Sequence, residues 1–156
     1  MVWLPFYCMR RVALCIAIVL AGCTHPDPVR DFRSTEVILP DGRKITAEVE
    51  TDPADLARGM MYRDSLAPNR GMLFIHDRPG RYPYWMHHCK IPLDIIWMDR
   101  SKRIVEISAD TPPCRSETSS ECSTYGGHEE AAYVLELGGG VAAKHGLAKG
   151  QQIQFF

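Results

Sequence analysis

Between residues 36 and 155 the apolar positions fall in short alternating or continuous runs separated by turn-forming clusters, the pattern of strands rather than of long helices. Glu36 to Leu39 and Lys44 to Val49 flank Pro40-Asp41-Gly42 and predict a β-hairpin about an Asp-Gly turn. Asp52-Pro53-Ala54-Asp55 supplies an N-cap acceptor, a proline at the first helical position and an acid in the first turn. With Leu56 and Met60 four apart, it predicts a short helix ending near Met60. Met72 to His76, Asp77-Arg78-Pro79-Gly80 and Tyr82 to Met86 read as strand, turn and strand. Paired antiparallel, they would set Phe74 near Tyr84 and Leu73 near Trp85. Leu93 to Met98, Arg103 to Ser108, Ala131 to Leu137 and Gln151 to Phe155 are further strands, and Val141 to His145 makes one or two helical turns stopped by Gly146. There is no repeat and no βαβ alternation. The expected class is mainly β: a small, partly closed β-barrel of about seven short strands with two short helices.

The pattern changes at the N-terminus. Residues 1–22 contain no acid, and Arg10-Arg11 precedes Val12 to Leu20, an apolar run of secretory rather than membrane-spanning length. Met9 stands directly before the two arginines and is read as the true start. Leu20-Ala21-Gly22-Cys23 resembles the bacterial lipoprotein lipobox at all four positions. The resemblance implies a diacylglyceryl group on Cys23 and cleavage before it. Residues 1–22 are then a signal peptide, 23–34 an extended tether of up to about 35 Å, and 35–156 a single β-rich domain. Acyl chains at roughly 0.8 kcal/mol per buried methylene make the membrane the first expected partner. Thr24 rather than Asp after the cysteine resembles the enterobacterial sorting pattern for the periplasmic side of the outer membrane.

Composition adds limits. The chain has 156 residues, 46% hydrophobic and 24% charged, which suits one globular domain with a real core. Its formal charge of −1 falls to −3 once Arg10 and Arg11 are removed. No basic field for nucleic acid exists.

Candidate chemistry centres on Tyr84 to Asp99, where two aromatic-rich apolar runs meet in the polar loop His87-His88-Cys89-Lys90. In the run after the loop, Leu93, Ile95 and Trp97 point one way and Asp94, Ile96 and Met98 the other. Asp94 is thereby placed among apolar neighbours, where a carboxylate must be paired or heavily hydrogen-bonded. It either ties down backbone N–H groups of the 87–92 loop or serves as a general acid or base. Arg58 and Arg63, flanking Gly59-Met60-Met61, either pair with nearby acids or bind an anion. Gly138-Gly139-Gly140 is a tight turn, because neither a phosphate loop nor a dinucleotide fingerprint surrounds it; no cofactor is called for.

Of the six cysteines, Cys8 and Cys15 leave with the signal and Cys23 carries lipid. Cys89, Cys114 and Cys122 remain in an oxidising compartment. Cys114 and Cys122 bracket the polar loop Thr111 to Tyr125 and are the expected disulfide, worth roughly 2.5 kcal/mol of loop entropy. Cys89 is left as a buried thiol or a nucleophile beside His87 and His88. Met86, His87, His88 and Cys89, with Met72 across the expected hairpin, also form a set of soft donors for copper or zinc. Strand alternation would put His87 and Cys89 on one face and Met86 and His88 on the other, which works against convergence.

Arg58-Gly59-Met60-Met61-Tyr62-Arg63, Gly71-Met72-Leu73-Phe74, Trp85-Met86, Ile91-Pro92-Leu93-Asp94-Ile95, Pro113-Cys114 and Val134-Leu135-Glu136-Leu137, followed by Gly140, Ala142, Ala143, Gly146 and Gly150, together resemble the domain-of-unknown-function 192 family over about Glu36 to Phe155. The resemblance implies a compact, β-rich, often secreted domain and no established activity. The chain departs from the family pattern at His88 and Cys89, where the family tends to have Asn-Thr, and at Gln151, which replaces a frequent Asp. The expected function is a non-catalytic envelope module binding a small ligand or a partner protein, with Arg63, Trp85, Met86, His87, His88, Asp94 and Tyr125 as ligand-binding candidates. A small enzyme using Asp94 or Cys89 with a histidine, and a soft-metal binder, are the alternatives.

Overall fold

The computed structural model describes Met1 and residues 33–156. Beyond Met1, the expected signal peptide, Cys23 and all but the end of the expected tether lie outside the described residues. Among those described, no helix is long and apolar enough to cross a membrane.

Local sequence accounts for the first elements. β1 (Ser34–Ile38) and β2 (Lys44–Glu50) form the expected hairpin, with Val37 opposite Ile45. Asp41 Oδ1 accepts the Arg43 N–H at its turn. α1 (Pro53–Arg58) is capped by Asp52, which accepts from the Ala54 N–H at 2.9 Å, and ends at Gly59 with φ +47°. β3 (Arg70–Gly80) then runs parallel to β2. A parallel pair cannot be joined by a tight turn. The crossover, residues 51–69, carries α1, Met60 and Arg63 across one face of the sheet.

The rest of the order is β4 (Tyr84–Trp85), β5 (Leu93–Met98), β6 (Ile104–Thr111), β7 (Thr124–Tyr125), β8 (Ala131–Gly138) and α2 (Val141–Lys144). The main sheet runs β1-β2-β3-β8-β5-β6, and β4 and β7 form a separate two-stranded piece. The class is mainly β. The barrel is partial, since β1 and β6 do not pair along their lengths; at one end the C-terminal segment joins them. Gln154 bridges to Ile38 and Gln152 to Arg103. The strand expected over Gln151 to Phe155 is therefore reduced to isolated bridges, each side engaging a different edge.

The antiparallel pair expected around Asp77-Arg78-Pro79-Gly80 does not form. Those residues prolong β3, and its register against β8 shifts between Ile75 and Gly80, an irregularity that accommodates Pro79. β8 takes the place beside β3 and pairs with β5 on its other side. Phe74 and Tyr84 still meet edge to face at 5.3 Å. Leu73 and Trp85 part: Leu73 enters the opposite core and Trp85 is 40% exposed.

Two cores result, one on each face of the sheet. The first gathers Val37, Ile45, Leu73, Ile96, Leu135 and Ile153 inside the curled sheet. The second gathers Met60, Met72, Phe74, Met86, Ile95 and Trp97 beneath the crossover and the β4–β7 piece. All six residues of β5 are buried, and their alternation is as expected, with Leu93, Ile95 and Trp97 in the second core and Ile96 and Met98 in the first.

Asp94 does tie down backbone N–H groups, but not those of the 87–92 loop. It accepts from Asp110 at 2.7 Å, Gly140 at 3.2 Å and Ala142 at 2.6 Å, holding the turn before α2 against β5 and β6. The correction follows from β8: by pairing with β5, it brings the triple-glycine turn to this carboxylate.

Candidate functional site

A cavity of about 360 Å³ opens between the end of α1 and β4. Its lining follows from the second core. Gly59 turns the chain out of α1 and drops Met60 into the sheet face, while Leu56 stays half-buried at the rim. On the opposite side, β4 and the segment before it present Tyr82, Tyr84 and Trp85. Tyr82 stacks on His76 at 3.6 Å, and the Tyr84 hydroxyl lies 3.2 Å from His76 Nε2. Burial holds His76 below its ordinary pKa and raises that of Tyr84. Cys89 completes this side.

The carboxyl group of Glu136 lies against this cavity. Glu48, Met72 and Glu136 stand in one cross-strand row over β2, β3 and β8, with Ile95 of β5 next in line. Glu50 stands one pleat along on the same face. Three carboxylates therefore share a face with Arg63. Arg63 engages Glu48 through both ends of its guanidinium, at 2.7 and 2.6 Å, and holds that carboxyl below its usual range. Glu50 is raised by burial. Glu136 is 4% exposed, and its Oε2 has no hydrogen-bond partner among the described residues. Burial pushes this carboxyl up to about 8, against the pull of Arg63 and of the Met60 N–H.

Sequence reasoning passed over Glu136 as a site residue, although the signal was present: a single acid among alternating apolar residues in a strand buried on both faces, the same argument that singled out Asp94. Of the ligand-binding candidates named from the sequence, Trp85 alone lines this cavity. Arg63 borders it electrostatically but is committed to Glu48, and Arg58 at its mouth is paired with Asp55 at 2.7 Å. Met86 is fully buried below, Tyr125 pairs with Tyr84 across β4–β7, and Asp94 faces the other core.

The 87–90 loop departs from the alternation expected of a continuing strand. β4 stops at Trp85, the Cys89 N–H returns to the Met86 carbonyl at 3.2 Å, and His88 takes φ +54°. Met86 and Cys89 consequently both point inward. His87 and His88 lie together, ring centroids 3.7 Å apart, and Tyr62 stacks on His88 at 4.9 Å. Among the described residues no three His, Cys, Asp or Glu side chains converge for a metal. Cys89 is 8% exposed, and burial together with the Glu136 charge pushes its thiol up to about 12. The neutral thiol is a poor nucleophile. The expected disulfide joins Cys114 and Cys122. It holds both neighbours of the site, since the Cys114 N–H donates to the Met86 carbonyl and Cys122 leads directly into β7.

Comparison with known proteins places the fold. A crystal structure from Sinorhizobium meliloti 1021, described as a candidate transcription regulator, is 30% identical and superposes with a TM-score of 0.71 over 80% of this chain and 95% of that one. A second, of a protein of unknown function from Novosphingobium aromaticivorans DSM 12444, is 27% identical with a TM-score of 0.67, over 81% and 89%. Among curated proteins none matches the chain. The family model described as uncharacterized ACR spans residues 36–155, and with these neighbours it establishes that the chain belongs to the domain-of-unknown-function 192 family.

Proposed function

We propose that this protein is a non-catalytic binding module of the bacterial cell envelope, tethered by lipid on Cys23, which takes a small ligand into the groove between Met60, Trp85 and Glu136. The observation that carries the reading is the groove itself: about 360 Å³, walled by aromatic and methionine side chains, with one buried polar group at its inner side. Small-molecule sites have this composition, a mostly apolar concavity with a few placed polar groups. Catalysis by the residues first considered finds no support. Cys89 is held as the thiol, and Asp94 is fully engaged by three backbone N–H groups on the far face of the sheet. A nucleic-acid partner, which the description of the Sinorhizobium protein would suggest, is disfavoured by the formal charge of −1 and the absence of a basic field.

The test is native mass spectrometry with metal analysis on the protein extracted from bacterial membranes under mild conditions, alongside Trp85→Ala. A stoichiometric small molecule, lost in the variant, is the expected result. A clean apo mass together with specific crosslinking to another envelope protein would overturn the small-ligand reading. For the anchor, Cys23→Ala is expected to move the protein from the membrane to the soluble fraction, and unchanged fractionation would refute lipidation.

A further inference from the structure

We infer that the groove is built for an organic ammonium ion whose alkyl body lies along Met60, Tyr84 and Trp85 and whose N–H groups donate to the free oxygen of Glu136. This names the ligand class of the binding site proposed above and rests on that reading.

The first argument is the unpartnered oxygen. Glu136 is more than nine-tenths buried, lines the cavity, and has one carboxyl oxygen without a partner among the described residues. Buried polar atoms are nearly always hydrogen-bonded, and an ionised carboxylate can only accept. A group bound to the ionised form must therefore bring a donor.

The second is charge. The cations within reach are already engaged: Arg63 doubly with Glu48, Arg70 with Glu48 at 3.7 Å, and Arg58 with Asp55. Glu50 adds a further buried acid on the same face. With Glu136 ionised, the carboxylates of Asp55, Glu48, Glu50 and Glu136 outnumber the guanidinium groups of Arg58, Arg63 and Arg70, so an anion is repelled. A neutral donor leaves a desolvated carboxylate uncompensated, whereas a cation neutralises it. Tyr84 and Trp85 in the lining favour the same sign, because aromatic rings attract cations.

The third is access. Gly59 lies beside the carboxyl: a β-carbon there would come within 3.6 Å of Glu136 Oε2 and 3.3 Å of Phe74 Cζ. Glu136 Oε2 is closed off from solvent in the free protein, so the ligand reaches it only as the groove wall shifts, and Gly59 puts no side chain in the way. A cavity of this size accepts a chain of several carbons behind the nitrogen.

Ammonium binding takes the carboxylate form. In the free protein Glu136 is held mainly as the neutral acid at pH 7. On binding, its O–H bond breaks, the proton passes to solvent, and the ligand keeps its own protons. The other titratable or charged groups facing this region are Glu48, Glu50, Asp55, His76, Tyr82, Tyr84, Cys89, Arg58, Arg63 and Arg70. His76 is held neutral by burial above its lowered pKa, and Tyr84 and Cys89 remain protonated.

The experiment is calorimetric titration of the full-length protein in mild detergent with n-hexylammonium, and with 1-hexanol and hexanoate as controls of equal length. It is run between about pH 6 and pH 9 in buffers of different protonation enthalpy. We expect hexylammonium to bind at least about tenfold more tightly than hexanol, with hexanoate weaker still. Close to one proton should be released per ammonium bound near pH 7, falling towards none at pH 9. Glu136→Gln should reduce hexylammonium to the affinity of hexanol and abolish the proton release. Equal binding of all three, or tighter binding of hexanol, overturns the ammonium assignment and leaves the groove reading standing. Failure of every probe to bind overturns both. Should Glu136→Gln not fold, the proton count on the unaltered protein decides: binding without release refutes the assignment.

Discussion

Arg63 meets Glu48 with both ends of its guanidinium, at 2.7 and 2.6 Å, and this pairing leaves Glu136, two strands along the same row, without a matching cation. The Glu48 side chain is 5% exposed and that of Arg63 28%, so removing the arginine strands a buried charge. Arg63→Ala is expected to destabilise the domain by on the order of 3 kcal/mol in denaturant unfolding. Arg63→Lys keeps the charge but not the fork, and should fall between. A change within experimental error for Arg63→Ala would mean that water or Arg70 replaces the pairing.

Glu136 gives stability a pH dependence whose sign can be worked out. Its carboxyl sits at about 8 in the fold against an ordinary 4.5. Between those values the unfolded chain has lost a proton that the folded protein keeps. The contribution is thus fully present below about pH 4.5 and declines as pH rises to about 8. Glu136→Gln does not titrate. The variant should therefore melt higher than the unaltered protein above pH 8, by at least about 4 °C, with the gap narrowing towards pH 5. Parallel melting curves across that range would show that Glu136 is already ionised in the fold.

What the sequence revealed and what it hid divide along the range of the interactions. The β1–β2 hairpin and the capped start of α1 are set by a few adjacent residues, Asp41-Gly42 and Asp52-Pro53, and both form where expected. The two-sided burial of β5 follows from its period-two pattern. By contrast, the insertion of β8 between β3 and β5 pairs residues 35 to 66 positions apart, and nothing local announces it. That one pairing removed the expected β3–β4 hairpin and redirected Asp94 to the turn before α2. It also brought Glu136 to the groove. The 87–90 loop departs from expectation for a different reason: His88 adopts a positive φ, which ends the alternation that a strand would impose.

The disulfide should matter to the site as well as to the fold. Cys114 donates to the Met86 carbonyl, His87 bridges to Cys114, and Cys122 precedes the strand that pairs with Tyr84 and Trp85. Cys114→Ser with Cys122→Ser is expected to cost about 2.5 kcal/mol of stability through the freed loop. It should also increase hydrogen exchange at Trp85 to Cys89. Loss of stability with unchanged exchange in that segment would limit the disulfide to tying its own loop.

Cys89 separates a floor residue from a nucleophile. It is 8% exposed, belongs to the cluster of Met60, Met86 and Trp97, and its thiol is pushed up to about 12 by burial and the nearby Glu136 charge. Thiol reagents act on the thiolate, so near pH 8 only about one molecule in ten thousand would be reactive even if access were free. Cys89 should resist iodoacetamide in the native protein and be alkylated promptly in denaturant. A ligand in the groove should slow any residual reaction, because Cys89 lines the same cavity as Glu136. Cys89→Ala should leave ligand binding within about threefold, as expected when one small apolar wall atom is lost. Rapid native labelling, together with abolished binding in Cys89→Ala, would instead make the thiol a functional group and return the enzyme reading to the front.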